Sequence, residues 1–533
     1  MISRRQFLAS ASAAVGAAAL PLPAIAQSAR ASTFRFVPET NLPVLDPIAS
    51  NGMSVQVHGW HVYDTLFGMN NKFEPRPQMV EGHSVSDDQR NWEFKLRDGL
   101  QFHNGEPVRA IDCSTSMARW AARDSYGQQL SKAVDEWQAV DDRTLRVKLK
   151  TPFPRLLDAI AIPSSLPPFI MPEHIARTDP NTAITDATGS GPYRFIASEY
   201  ATGNQVVYEK FAGYNPRSEA AEYTSGGKVA HFDRIEWKII PDVATATAAL
   251  ANGEVDMVEY VDNDMLPLLL DNPQVKLVVK DPAGKTPMLR LNTLQPPFNN
   301  PAIRRILLEA VNQNDFLQAL AGSNPDLIRE CYAMYPCSFP MVNELGKGFM
   351  TKGEPDWEGL KKKLVAAGYN GEKVAIMSAG DIKAISTLAE IAAGTLRRLG
   401  MNVEVQTSDW ATIAGRRFSK EPVEKGGWSM LCVNWPSASL ANPAISQLTR
   451  GLGPKGPYFG WFESEAIEKA NADYINAATP QELQKAIDEV QRIAFETVPF
   501  IPLGQYMQYT AYSSNVDGFL PALWFFPWNL RRV

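Results

Sequence analysis

A chain of 533 residues that is 45% hydrophobic, 21% charged and 10% aromatic is too long for one core and too apolar for extended disorder. Its 52 basic and 58 acidic residues leave a formal charge of −6, which offers no electrostatic footprint for nucleic acid. Beyond the N-terminus no run of about 18 apolar residues is long enough to span a membrane.

The first segment reads as an address. Ser3-Arg4-Arg5 followed by Phe7 and Leu8, an Ala-rich run to Ala19 and the small-residue site Ala24-Ile25-Ala26 predict a signal peptide of the twin-arginine type over residues 1–26. Its removal takes Arg4 and Arg5 with it and leaves an exported, more acidic mature chain. Export makes disulfides permissible. Cys331 and Cys337, six apart in a Pro-containing loop, have a spacing that a short disulfide can close. Cys113 and Cys432 have no neighbour in sequence, and a link from Cys432 to one of the loop cysteines stays open.

Period-two alternation predicts half-buried strands at Trp92, Phe94 and Leu96, at Leu145, Val147 and Leu149, and at Ile235, Trp237 and Ile239. The segment Val243–Ala251 predicts a helix stopped by Gly253 and followed by the alternating Val255–Val258. Asn300 and Pro301 start a helix running through Arg304, Leu308 and Val311. Thr479-Pro480-Gln481-Glu482 is a capping box with Pro at the first helical position, and Leu483, Ile487, Val490 and Ala494 continue it as one apolar stripe. Interleaved helices and strands place the chain in the α/β or α+β class. Pro-rich or Gly-rich stretches at 163–172, 182–192, 281–301 and 451–460 mark boundaries, the third as a crossing between lobes.

A search for catalytic or cofactor chemistry finds little. Gly451-Leu-Gly453-Pro-Lys-Gly456 matches a dinucleotide fingerprint only in letters, since Pro454 interrupts it and no helix follows. Gly284-Lys285-Thr286 lacks the glycine a phosphate loop needs five positions earlier, and no G-x-S-x-G elbow is present. His58 and His61 share a helical spacing without an identifiable third ligand, which favours a structural role over a metal site. No catalytic residue, metal or cofactor is expected. Trp410, Trp428, Trp435 and Trp461 instead fall in Gly-, Pro-, Asn- and Ser-flanked segments, where several rings can wall a solute pocket or simply pack between lobes. Arg416 and Arg417 follow Trp410 closely and offer a fork for a carboxylate or a solvated pair.

An ordered set of short motifs then carries a resemblance. Tyr63-Asp-Thr-Leu-Phe67, the run from Trp92 to Gly105 with Ala110 and Asp112 after it, Gly189-Ser-Gly-Pro-Tyr193, the run from Ala248 to Asp256, Asn299-Asn-Pro-Ala-Ile-Arg-Arg305 and Val498-Pro-Phe-Ile-Pro-Leu503 together resemble the extracellular solute-binding proteins of family 5, the dipeptide-, oligopeptide- and nickel-binding receptors of ABC importers. The resemblance implies an α/β, two-lobed periplasmic-binding-protein-like fold with an additional third domain. It places residues 27–65, 188–280 and 496–533 in lobe I, residues 66–187 in the extra domain and residues 281–495 in the other lobe.

The implied function is that of a monomeric periplasmic receptor that closes on a small organic solute and delivers it to ABC transporter permease subunits, without chemistry. Asn51, Met53, Trp410, Arg417, Trp428, Asn434, Trp435, Ser437 and Trp461 are the candidate ligand-binding residues. In peptide-binding relatives an Asp in the segment matching 427–443 holds the peptide ammonium, and here that segment contains no Asp or Glu. This favours an organic acid, opine-like, aromatic or sugar ligand, with a di- or oligopeptide as the alternative. An exported hydrolase without recognisable motifs is the competing class.

Overall fold

The computed structural model describes residues 32–533; the predicted signal peptide, residues 1–26, lies outside the described residues. Two seven-stranded sheets and one four-stranded sheet organise the chain. The first large sheet runs Val275–Val279, Tyr509–Ser513, Met257–Val261, Thr33–Val37, Arg234–Lys238, Gln205–Lys210, Tyr193–Phe195. Thr33–Val37 lies at its centre and is parallel to both neighbours, while the flanking pairs are antiparallel. A central strand is covered on both faces, and accordingly Phe34 and Phe36 on one face and Thr33 and Val37 on the other are buried.

The second large sheet runs Ile328–Arg329, Gln505–Tyr506, Lys285–Leu291, Met430–Pro436, Lys373–Ala379, Asn402–Ser408, with Phe500–Pro502 also paired to Lys285–Leu291. The four-stranded sheet, Val80–Val85, Asn91–Leu96, Thr144–Leu149 and Val134–Ala139, is antiparallel and packs beneath the helix Ala110–Arg123. Its alternation places Trp92, Phe94 and Leu96 inside and Asn91 and Lys95 outside. The fold is thus two sheet-centred lobes and a smaller third domain.

Two runs of chain straddle both large sheets. One leaves the first sheet at Val279 and enters the second at Lys285; the other leaves the second at Tyr506 and enters the first at Tyr509. They travel side by side, because Val279 pairs with Tyr509 and Lys285 pairs with Tyr506. Short connections of this kind are where a hinge absorbs backbone rotation. The turn at Gly284 has φ +67°, and a Cβ there would sit 2.4 Å from the Tyr506 carbonyl oxygen, so glycine is what allows the two crossings to touch.

The crossing is tighter than the proline-dense stretch 281–301 suggests. Pro287 stands inside the strand Lys285–Leu291, where it contributes only its carbonyl, which accepts a hydrogen bond from the Leu503 N–H. The last stretch, 496–533, is also divided. Phe500–Pro502 and Gln505–Tyr506 add to the second sheet, and only from Tyr509 does the chain rejoin the first. Residues 500–513 read as one run of short apolar strands, and only pairing distinguishes their sheets.

Helix signals written in the sequence are used as hydrogen bonds. Thr479 Oγ1 accepts from the Glu482 N–H and Glu482 Oε2 accepts from the Thr479 N–H, closing the box on the helix Pro480–Thr497. Asn300 Oδ1 accepts from the Ala302 N–H at the start of Pro301–Ala310.

Inside the molecule, two ion pairs tie loops to the core. Arg119 forks onto Asp46 at 3.2 and 2.6 Å, and Asp46 also accepts from the Ile48 and Ile184 N–H groups. Lys228 Nζ lies 2.7 Å from Asp64 Oδ1, both fully buried.

Helix Met53–Val62 buries His58 and His61 among Tyr208, Phe195 and Trp237. His58 Nδ1 lies 2.9 Å from the Tyr208 hydroxyl and His61 Nδ1 2.7 Å from the Val57 carbonyl, which makes both structural groups of the core. Burial pushes each imidazole from its ordinary 6.5 down to about 3. In the folded state the rings stay neutral, whereas the unfolded chain takes up protons near pH 6.5. Their contribution is therefore complete above pH 6.5 and is lost as the pH falls toward 3. Lowering the pH from about 7.5 to about 5 should cost about 2 kcal/mol for each of the two rings. Urea titrations at the two pH values check this, and equal stability at both would contradict it.

Candidate functional site

The lobes meet around one segment, Trp435–Ile445, which leaves the C-terminal end of the strand Met430–Pro436 and turns across the boundary. Three cavities ring it. The largest, 580 Å³, is lined by Asp281, Pro282 and Ala283 of the crossing, Tyr223 and Leu520 of the first lobe, and Arg329, Ser338 and Ala438 of the second. A second, 400 Å³, lies between Ser50 and Asn51, Ser165 of the third domain, and Trp435, Ser439, Gln447 and Tyr458. A third, 310 Å³, shares Phe73 and Ala438 with the first and Ile445 with the second. Cavities of this size, apolar with a few convergent polar groups, fit small organic solutes.

The candidate residues divide into three groups. Asn51, which is exposed, and Trp435, which is half-buried, face each other across the 400 Å³ cavity. Trp435 meets Tyr458 edge to face at 5.9 Å. Beside them Asn434 donates through Nδ2 to the Tyr506 hydroxyl at 2.6 Å, while Asn434 Oδ1 and the Tyr458 hydroxyl are shut from solvent without a partner. Asn434 lines none of the three cavities, whereas Tyr458 lines the 400 Å³ one, and an unpartnered polar atom at a cavity wall is what a ligand can satisfy. Met53 sits two residues beyond Asn51, half-buried against the core.

The second group lies behind the wall. Trp428 is fully buried and Trp461 nearly so; their rings are 6.1 Å apart, and Phe459 packs on Trp428. Trp428 lines none of the three cavities. Ser437 is likewise internal: it lies 2.9 Å from Thr286 Oγ1, accepts from Gln505 Nε2, and its N–H donates to the Gly284 carbonyl at the crossing. These residues hold the segment in place instead of presenting a face to a solute.

The third group is a cationic corner. Arg417 stands over the rings of Phe459, Phe418 and Trp410 at 4.9, 5.1 and 5.5 Å. Burial lowers its pKa, with Tyr458 opposing. Arg416, by contrast, donates to the Gly426 and Gly427 carbonyls and to Gln406, a structural use in place of a fork for a carboxylate. Trp410 starts a short helix, its N–H donating to Asp381 Oδ1.

Sequence reasoning missed Asp281, Tyr223, Arg329 and Tyr458, which the fold brings to the walls. Asp281-Pro-Ala-Gly284 and Pro457-Tyr-Phe-Gly460 carry turn signals, but only the crossing of the chain places them at the boundary. A disulfide joins Cys331 and Cys337 with Cα atoms 5.8 Å apart, and Cys337 lines the largest cavity. Cys113 and Cys432 are buried free thiols.

The family model for bacterial extracellular solute-binding proteins, family 5, matches residues 74–456. The chain belongs to this family. Among curated members, the probable peptide ABC transporter periplasmic-binding protein y4tO of Sinorhizobium fredii (strain NBRC 101917 / NGR234) is 35% identical over the whole of both chains. Two solved structures share the fold of this family 5 protein. CtaP of Listeria monocytogenes superimposes with a TM-score of 0.77 at 19% identity, over 94% of this chain and 99% of that one. The periplasmic binding protein DppA of Helicobacter pylori, in complex with the peptide STSA, gives 0.76 at 19% identity over 95% and 99%.

Proposed function

We propose that this family 5 solute-binding protein of an ABC transporter captures one small organic solute by closing its lobes over the Trp435–Ile445 segment, and delivers it to the permease subunits as a monomer. The observation that carries the reading is a set of solute-sized cavities walled from both lobes, of 580 and 400 Å³, beside a double crossing suited to hinge motion. Trp435 and Tyr458 supply ring faces, and the Tyr458 hydroxyl supplies hydrogen-bonding capacity, with Asn434 behind them. The location is periplasmic or extracellular, and export through the twin-arginine pattern at Arg4 and Arg5 fits a receptor that folds before it is translocated. A second reading, a short peptide as the solute, is favoured by the relative from Sinorhizobium fredii and by the peptide-bound neighbour from Helicobacter pylori.

A thermal-shift screen of the purified protein against organic acids, sugars, aromatic solutes and short peptides tests the reading. A solute at about 100 times its dissociation constant adds about 2.7 kcal/mol of stability, a readily measured rise in melting midpoint. Absence of any shift, together with turnover of an ester, amide or glycoside, would overturn it.

A further inference from the structure

The 400 Å³ cavity differs from its two neighbours in what lines it: hydroxyls and amides predominate, Arg123 is its one charged lining residue, and no Asp or Glu reaches it. The third cavity, by contrast, sets Asp158 against Arg155 at 2.8 Å. Ser50 and Asn51 enter the 400 Å³ cavity from the first lobe and Ser439 and Gln447 from the second, and each of these side chains can both donate and accept. The third domain supplies Ser125 and Ser165. Ser125 Oγ, like the Tyr458 hydroxyl opposite, is shut from solvent without a partner among the described residues. Ser165 is held at φ +66°, a left-handed conformation that residues with a Cβ seldom adopt and that persists where the surroundings enforce it. Its turn is fixed on both sides: Ser164 Oγ donates to the Ala438 carbonyl at 3.0 Å, and Trp120 Nε1 donates to the Leu166 carbonyl at 2.6 Å. The third domain is thereby fastened to the Trp435–Ile445 segment with a hydroxyl at the cavity wall. Arg123 is exposed at the rim, donates through Nη1 to Asn181 Oδ1 at 2.8 Å, and makes no ion pair among the described residues.

We infer that the 400 Å³ cavity takes a polyhydroxylated solute bearing one anionic group, a sugar acid or a sugar phosphate. The Trp435 and Tyr458 rings would lie against its C–H face, the serine and amide fringe would meet its hydroxyls, and Arg123 would meet its anion at the rim. This rests on the receptor reading above and deepens it. Sugar hydroxyls donate and accept at once, as the lining does, and flat rings suit the apolar face of a sugar. A peptide ammonium would find no carboxylate in this cavity, and a purely apolar solute would leave its hydroxyls unpaired. The unpaired N–H groups of the Arg123 guanidinium can form charge-assisted hydrogen bonds to a carboxylate or a phosphate alike.

Calorimetric titration of the full chain with gluconate, galactonate, glucose 6-phosphate and galactose 6-phosphate, each beside its neutral parent sugar, tests this. At least one sugar anion should bind, about tenfold or more tighter than its parent, and the better of each carboxylate and phosphate pair identifies the anion. Arg123→Gln, a change at an exposed position, should lower affinity for that anion to the level of the parent sugar and remove its salt dependence, with binding of the parent unchanged. Ser125→Ala should weaken anion and parent alike by about fivefold or more. A parent sugar that binds as tightly as its anion, or an Arg123→Gln chain that binds the anion as wild type does, overturns the inference. If none of the sugar anions binds but a peptide, an aromatic solute or a simple organic acid raises the melting midpoint, the sugar inference fails and the receptor reading survives. If no solute of any class binds, both fail.

Discussion

Replacing Lys228 by Met should destabilise the protein by about 3–5 kcal/mol, because it leaves Asp64 as an uncompensated charge in the core. Both partners are inaccessible to solvent, and the ammonium lies between the Trp60 and Trp528 rings, 5.1 and 5.0 Å from their centroids. Asp64 Oδ2 also accepts from the Tyr214 hydroxyl at 2.8 Å. Burial pulls the Lys228 pKa down while Asp64 holds it up, so the pair survives only as a pair. Adding Asp64→Asn to Lys228→Met removes the stranded charge and keeps an acceptor for Tyr214. The double variant should therefore recover most of the loss, giving a strongly non-additive cycle in urea titrations. Additive losses would show that the pair does not act as a unit.

Trp428→Ala should cost about 3–5 kcal/mol of stability, the range for truncating a fully buried aromatic, and should disturb solute binding only through the fold. Trp435→Ala should behave in the opposite way. The ring is half-buried on a cavity wall, so its removal should cost about half as much stability while weakening solute binding about tenfold or more. Melting curves and binding titrations on the two variants separate the roles. If Trp428→Ala weakened binding without lowering the melting midpoint, the division between wall and support would be wrong.

That division shows what a sequence can and cannot disclose here. Both tryptophans stand in the same stretch with similar flanking residues, and only the strand register separates them. Trp428 precedes the strand Met430–Pro436 and points into the lobe, whereas Trp435 lies at its end, where the chain turns over the boundary. Local order was readily legible: the capping box at Thr479, the cap at Asn300 and the alternation from Trp92 to Leu96 appear as written. These signals act over a few residues and need no knowledge of the rest of the chain. Asp281 and Arg329 share a cavity because two crossings, more than 200 residues apart in sequence, run side by side. No local pattern encodes that pairing. Pro287, in the proline-rich stretch 281–301, lies inside a strand, which shows that pairing and not composition decides where a strand begins.

The central claim is a receptor that closes its lobes on one small solute beside Trp435. Its most direct test is native mass spectrometry of the intact protein, with identification of any released solute and titration of that solute, or of the best compound from the thermal-shift screen, into wild type and Trp435→Ala. One solute per chain, bound by wild type and weakened about tenfold or more by Trp435→Ala with the fold intact, is the predicted result. A chain that binds no solute, or one whose solute affinity is unchanged by Trp435→Ala, would contradict it.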